Sequence, residues 1–277
     1  MRGFMDCRTI FQWVPFSSWE SDVWSALVGL VDQRAKERFL AEAAQTSDSY
    51  SNLLSRIASE QQGHKVCVVD HLAFQLPQIY THIRAFHGAR PIDPTPYYSE
   101  GIRRHDAEHL HEIAREVFLS GDYPEITPEI LEGIIQSEMM QQQREARRGQ
   151  VCFALDHEAM IQGYNHYMAY GSEYLQAIAC QLPGAQHQYL TALAKRGQAV
   201  VFSCDVPVSL IPEEWFYGIT PTVMDILLER IINPSYMGLA GGSPCMMIFD
   251  DLPASCVLEH SEPRLLVDTL TWRGPPS

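Results

Sequence analysis

The stretch "AFHGARPIDPTPYYSEGI", Ala85 to Ile102, decides how the chain is read. An alternating apolar segment, Ile83-Arg84-Ala85-Phe86, runs into a His-Gly pair, and prolines and a Tyr-Tyr pair follow. Alternation over four residues is the period of a strand. A strand that ends on His87-Gly88 is a binding edge, where glycine lets a flat ligand approach the backbone and histidine supplies a hydrogen bond. The plain alternative is a turn with a surface histidine.

Working outward, the first 60 residues carry helical signals. Ser18 precedes Trp19 and Glu20, and Val23, Leu27, Leu30 and Val31 recur at helical spacing; Tyr50, Leu53, Leu54 and Ile57 mark a second, shorter helix. "KVCVVD" and "YTHIRAF" predict strands, being rich in β-branched and aromatic residues. "RHDAEHLHEIAREVFLSG" and "TPEILEGIIQSEMMQQQREARRG" predict helices, the second opened by Thr127-Pro128 and closed at Gly149. "VCFALD" and "YNHYMAY" predict strands, and "GSEYLQAIACQL" a helix. "QAVVFSCDVPVSLI" is the clearest strand, "TPTVMDILLERII" a helix opened by Thr-Pro, and "PCMMIFDDLP" and "RLLVDTLTW" the last strands. Helices first, then strands with irregular connections, favour an α+β fold with a mixed or antiparallel central sheet over a doubly wound one. The expected division is a helical N-terminal region, 1–64, and a domain, 65–277, with a helical insert at about 103–149.

A chain of 277 residues, 46% hydrophobic and 19% charged, can bury a full core. No apolar run is long enough to span a membrane, and the start does not read as a secretory signal. Seven scattered cysteines without a CxxC pair fit reduced thiols and a cytoplasmic setting. A net charge of −14 argues against non-specific adhesion to nucleic acid, although Arg103-Arg104 and "REARR" (Arg144–Arg148) leave a local basic groove open. No GxGxxG follows a strand and no GxxxxGK[ST] exists, so neither a Rossmann site nor a P-loop is indicated.

Two constellations carry chemistry. In "GYNHYMAYGSEYL", Tyr164, Tyr167, Tyr170 and Tyr174 fall within eleven residues. On a strand, Tyr164, His166, Met168 and Tyr170 share one face and Tyr167 takes the other. Gly171-Ser172 then turns the chain into a helix that presents Tyr174 in its first turn, able to stack on a planar ligand. In "RRHDAEHLHE", His105 and His109 are four apart, a helical metal-binding spacing with Asp106 and Glu108 as oxygen donors; a solvated polar face is the plain alternative.

His87-Gly88 at a strand end, then "YGSEYL", then a strand ending in "CDVP", resembles the ADP-ribosyltransferase fold. Within it, the likeness is to the His-Tyr-Glu branch that includes the poly(ADP-ribose) polymerases and diphtheria toxin. It covers about residues 80 to 268 apart from the helical insert. The resemblance implies NAD as substrate, transfer of ADP-ribose to a macromolecular acceptor, protein rather than nucleic acid given the acidic charge, and a toxin or defence role. It implies that His87 and Gly88 bind the nicotinamide ribose and carboxamide and that Tyr174 stacks on the ring. The strand tyrosine is Tyr164, Tyr167 or Tyr170, with Tyr167 taken as catalytic and Ser172 placed beside the ligand. In that branch a glutamate opens a late strand, whereas here Ser243, Pro244 and Cys245 stand there. A carboxylate must then come from Glu173, Glu213-Glu214 or Glu259, and Glu173, between Ser172 and Tyr174, is preferred. The rival expectations are a non-catalytic NAD- or nucleotide-binding module and a metal-dependent hydrolase using His105 and His109.

Overall fold

The computed structural model describes residues 9–236 and 244–264. In chain order its elements are β1 (Ile10–Phe11), α1 (Glu20–Leu27), α2 (Gln33–Ala43), α3 (Tyr50–Gln62), α4 (Val68–Ile79), β2 (His82–Ala89) and α5 (Thr95–Glu100). Next come α6 (Ala107–Phe118), α7 (Pro128–Ile135), α8 (Glu138–Arg147), β3 (Val151–Ala154), α9 (His157–Gly163), α10 (His166–Tyr170) and α11 (Glu173–Gln181). The last are α12 (Gln186–Lys195), β4 (Val200–Pro207), α13 (Glu213–Ile232), β5 (Cys245–Ile248) and β6 (Val257–Ser261). The fold is α+β with a six-stranded mixed sheet in the order β5-β3-β2-β4-β6, β1 pairing with β2. The chain divides into two compact units, Met1–Arg84 with Val206–Pro244, and Ala85–Asp205 with Cys245–Ser277.

The first unit is a helical assembly in which α4 packs on α1, α3 and α13. Its core is apolar side chains at helical spacing, among them Val23 and Leu27 of α1, Leu53, Leu54 and Ile57 of α3, and Leu72 and Leu76 of α4. Burying each such side chain stabilises by about 1.5–3 kcal/mol. Asp32 and Ser49 open α2 and α3 by accepting hydrogen bonds from the backbone N–H groups of Ala35 and Asn52. Ile10 and Phe11 run parallel to His82 and Ile83.

In the second unit, β3 lies antiparallel to β2 and β5, and β4 antiparallel to β6. One core lies among α6, α7, α8, α11 and α12, around Phe118, Leu131, Met140, Ile178 and Tyr189. A smaller one, Ala154, Met160, Met168 and Val201 with Phe86 against it, sits on the sheet face covered by α9 and α10. Gly101, at φ 87°, closes α5; a Cβ there would lie 1.9 Å from the Leu252 carbonyl oxygen, so the Ile102–Leu252 bridge requires the bare backbone.

Several elements differ from the sequence expectation. "KVCVVD" leads into α4, because Val68, Leu72, Ala73 and Leu76 bury one helical stripe, and that burial outweighs the β-branched run. "YNHYMAY" folds into α10 from His166 onward: the Ala169 N–H donates to the Asn165 carbonyl and the Gly171 N–H to the Tyr167 carbonyl, four residues back, as a helix requires. Tyr164, His166, Met168 and Tyr170 therefore do not share a strand face. The helix expected from Thr127 to Gly149 is two, because the Ser137 hydroxyl accepts from the Met140 N–H and caps α8. The helix expected to open at Thr220-Pro221 starts at Glu213 with Pro221 inside it, and the Thr220 hydroxyl donates to the Phe216 carbonyl. The strand expected at "RLLVDTLTW" lies outside the described residues apart from Arg264.

Candidate functional site

His87 and Gly88 end β2 as expected, but they face opposite ways. Alternation directs Phe86 and Gly88 to the α9–α10 side, where a Cβ on Gly88 would meet Met160 Sδ at 2.8 Å, Met168 Cγ at 3.3 Å and Tyr167 Cβ at 3.4 Å. The missing side chain thus lets α10 close onto the strand. His87 turns to the other face, its ring 5.7 Å from that of Phe153. Its Nδ1 bonds the Cys152 carbonyl at 2.9 Å, so Nδ1 carries the proton and Nε2 is left as an acceptor. Loss of hydration lowers the His87 pKa, opposed by that bond, and the ring is neutral near pH 7.

Around Tyr167 the structure assembles a charged cluster. Ser172 caps α11 by accepting from the Tyr174 N–H, which sets Glu173 in the first turn. His166 Nε2 lies 3.0 Å from Glu173 Oε1, and Arg147 donates from Nη2 at 2.7 Å and from Nε at 3.2 Å to Glu173 Oε2. The hydrogen bond from His166, and then the Arg147 guanidinium, hold the Glu173 carboxyl down at about 2 against the opposing effect of burial. Glu173 is ionised throughout the physiological range. The Tyr167 ring lies 4.2 Å from that of His166. Burial raises the Tyr167 pKa, and the Glu173 carboxylate and the Cys152 thiol raise it further, so the phenol keeps its proton. Tyr164, at the end of α9, is pushed up to about 12 by its hydrogen bond with the Cys245 thiol and by burial.

Tyr174 lies elsewhere. It is 0% exposed, its hydroxyl bonded to His111 Nε2 at 2.8 Å and its ring met edge-on by His105 at 5.3 Å. That ring is a core element with no open face, so Tyr174 does not stack on a ligand as the resemblance implies. Tyr170 is partly buried against the same core. Glu213 and Glu214 open α13 in the first unit, and Glu259 is exposed on β6, paired with Ser203.

The expected metal pair also separates. His105 precedes the Asp106 cap of α6 and so is not on the helix, whereas His109 is exposed beside Glu112. Among the described residues no group of three or more His, Cys, Asp or Glu side chains could hold a metal ion.

Arg147, His166 and Cys152 were not picked out as site residues from sequence. Nothing in the sequence singles out Arg147 as the partner of Glu173, since Lys195 and Arg196 stand nearer to it along the chain. No protein-family model, curated protein or solved structure matches the chain. The functional reading therefore stands on these residues. No helix among the described residues is long and apolar enough to cross a membrane.

Proposed function

We propose that the second unit is an ADP-ribosyltransferase-like module that takes NAD and transfers ADP-ribose to a macromolecular acceptor. The observation that carries this reading is the meeting of Gly88, Tyr167 and Glu173, which come from three separate elements. Tyr167 packs over the glycine at the strand end, and an ionised carboxylate stands next to its ring. Cleavage of the nicotinamide glycosidic bond develops positive charge on the ribose, and a fixed carboxylate in a partly buried site stabilises it. Arg147 and His166 hold Glu173 in place, Tyr167 supplies an aromatic wall, and His87 is a positioning residue that ties β2 to the Cys152 carbonyl of β3.

A second reading is a nucleotide-binding module without turnover. It is favoured by two features: both Glu173 oxygens are already engaged, and β5 opens with Cys245 where the resemblance implies glutamate. Incubation with NAD labelled in the adenylate portion, followed by analysis of free nicotinamide and labelled acceptor, separates the two. Turnover that is lost in Glu173→Gln and Tyr167→Ala supports transfer. Saturable NAD binding without nicotinamide release supports the module, and absence of both binding and release rejects the two readings together.

A further inference from the structure

Four arginines, Arg103, Arg104, Arg144 and Arg148, line an open cleft of about 740 Å³ in the second unit, a size within the usual range for small-molecule sites. Their clustering runs against a chain of net charge −14 that contains three lysines and 17 arginines. Every cation in the cleft is a guanidinium, the planar five-donor fork that takes phosphate oxygens two at a time. Two elements build it. Arg144 and Arg148 are four apart, so α8 and its C-cap present them along one side, while Arg147 turns aside to Glu173. Arg103 and Arg104 come from the segment that the Ile102–Leu252 bridge and Gly101 hold in place.

The arginines are only loosely committed to protein partners. Arg104 Nε and Arg148 Nη1 stand 3.8 and 3.7 Å from carboxylate oxygens of Asp251 and Glu145, too far for hydrogen bonds. Arg103 and Arg144 pair with Glu100 and Glu108 at 2.7 and 3.1 Å, in side chains largely open to solvent. Exposed pairs of this kind are worth little and exchange readily for a charge-assisted, bidentate anion. Three carboxylates, Asp106, Glu145 and Asp251, also line the cleft. Asp106 already satisfies the first N–H groups of α6, so the helix end adds no anion site of its own.

We infer that this cleft binds a compact ligand carrying two or more phosphate groups. The four forks face three lining carboxylates, and Glu100 and Glu108 pair with two of them from outside the lining, so a small polyanion binds by displacing exposed pairs. The interspersed acids and the overall negative charge oppose a long nucleic-acid backbone. Glu173 and its partners belong to a different cluster, so this site does not depend on the transferase reading.

Titration calorimetry of the full chain with pyrophosphate and with ATP, at low and physiological salt, tests it. The expected result is one saturable site, weakened at least about tenfold in Arg144→Gln/Arg148→Gln and in Arg103→Gln/Arg104→Gln, and unchanged in Glu214→Gln, an exposed carboxylate of the first unit. All four side chains are exposed, and a thermal melt verifies that each variant is folded; either double variant alone decides the question. Absence of heat and of any ligand-induced rise in melting temperature overturns the inference, as does binding unchanged in a folded double variant. Tighter binding of a single-stranded oligonucleotide than of ATP, growing with its length, overturns the compact ligand in favour of a nucleic-acid strand.

Discussion

Glu173 Oε2 accepts two hydrogen bonds from Arg147, 26 residues earlier in the chain, while its other oxygen faces His166. This pairing sets the acid sensitivity of the second unit. The folded-state pKa of Glu173, about 2, lies below its ordinary value of 4.5. A depressed carboxylate contributes stability that is present above its unfolded pKa and is lost as pH falls through the folded one. The window is therefore about pH 4.5 down to about 2. With solvent screening of a partly exposed carboxylate, the contribution is roughly 1–2 kcal/mol. Glu173→Gln should lower the urea midpoint at neutral pH and flatten the acid limb of the stability curve in that window. An acid limb with unchanged slope shows that the pair is not stabilising.

Two glycines should respond differently to alanine. At Gly88 the new methyl meets the end of a flexible methionine and Tyr167 Cβ, and local repacking limits the cost to about 1–2 kcal/mol. At Gly101 the methyl would overlap a backbone carbonyl at 1.9 Å, and φ is 87°, so strain and clash combine to exceed about 3 kcal/mol. Chemical denaturation should rank Gly101→Ala well below Gly88→Ala. Only Gly88→Ala should displace Tyr167 and reduce NAD turnover by more than its loss of stability explains. Equal midpoints for the two variants contradict the packing described here.

How much of this was legible in the sequence depends on what kind of contact made each feature. Strands β2, β3 and β4 were readable because β-branched and aromatic residues coincide with burial there, and β5 because its apolar run alternates between buried and exposed positions. "KVCVVD" was misread because the same residue types also serve a helical stripe whose lower half, Leu72 and Leu76, lies beyond the run. In the site, Gly88, Tyr167 and Glu173 were reachable from residue type and resemblance. Arg147 and His166 were not, since a salt-bridge partner is chosen by tertiary placement. Tyr174 shows the converse limit: a tyrosine in a first helical turn has the same sequence signature whether it faces a ligand or the buried His111.

Tyr174→Phe tests that placement. The hydroxyl is removed while the ring stays, leaving His111 Nε2 buried without its partner, at a cost of about 1–3 kcal/mol. The melting temperature should fall, with NAD affinity and turnover per folded molecule unchanged. A selective loss of NAD affinity at full stability places Tyr174 at the ligand instead.

The thiol of Cys152 reports on Glu173 from a second direction. Burial pushes its pKa up to about 11, and the Glu173 carboxylate adds to the rise while Arg147 opposes it. The thiolate is the reactive form, so alkylation at Cys152 should still be accelerating with pH near 10, well past the range where an ordinary thiol levels off. Glu173→Gln removes the negative charge and leaves Arg147, so the Cys152 alkylation profile should move to lower pH. Arg147→Met removes the opposing cation and should move it the other way. Mass spectrometry of the Cys152 peptide after timed iodoacetamide exposure follows both shifts. Opposite displacements in the two variants require that carboxylate, guanidinium and thiol share one electrostatic environment, whereas a profile indifferent to both substitutions separates Cys152 from the cluster and removes β3 from the site.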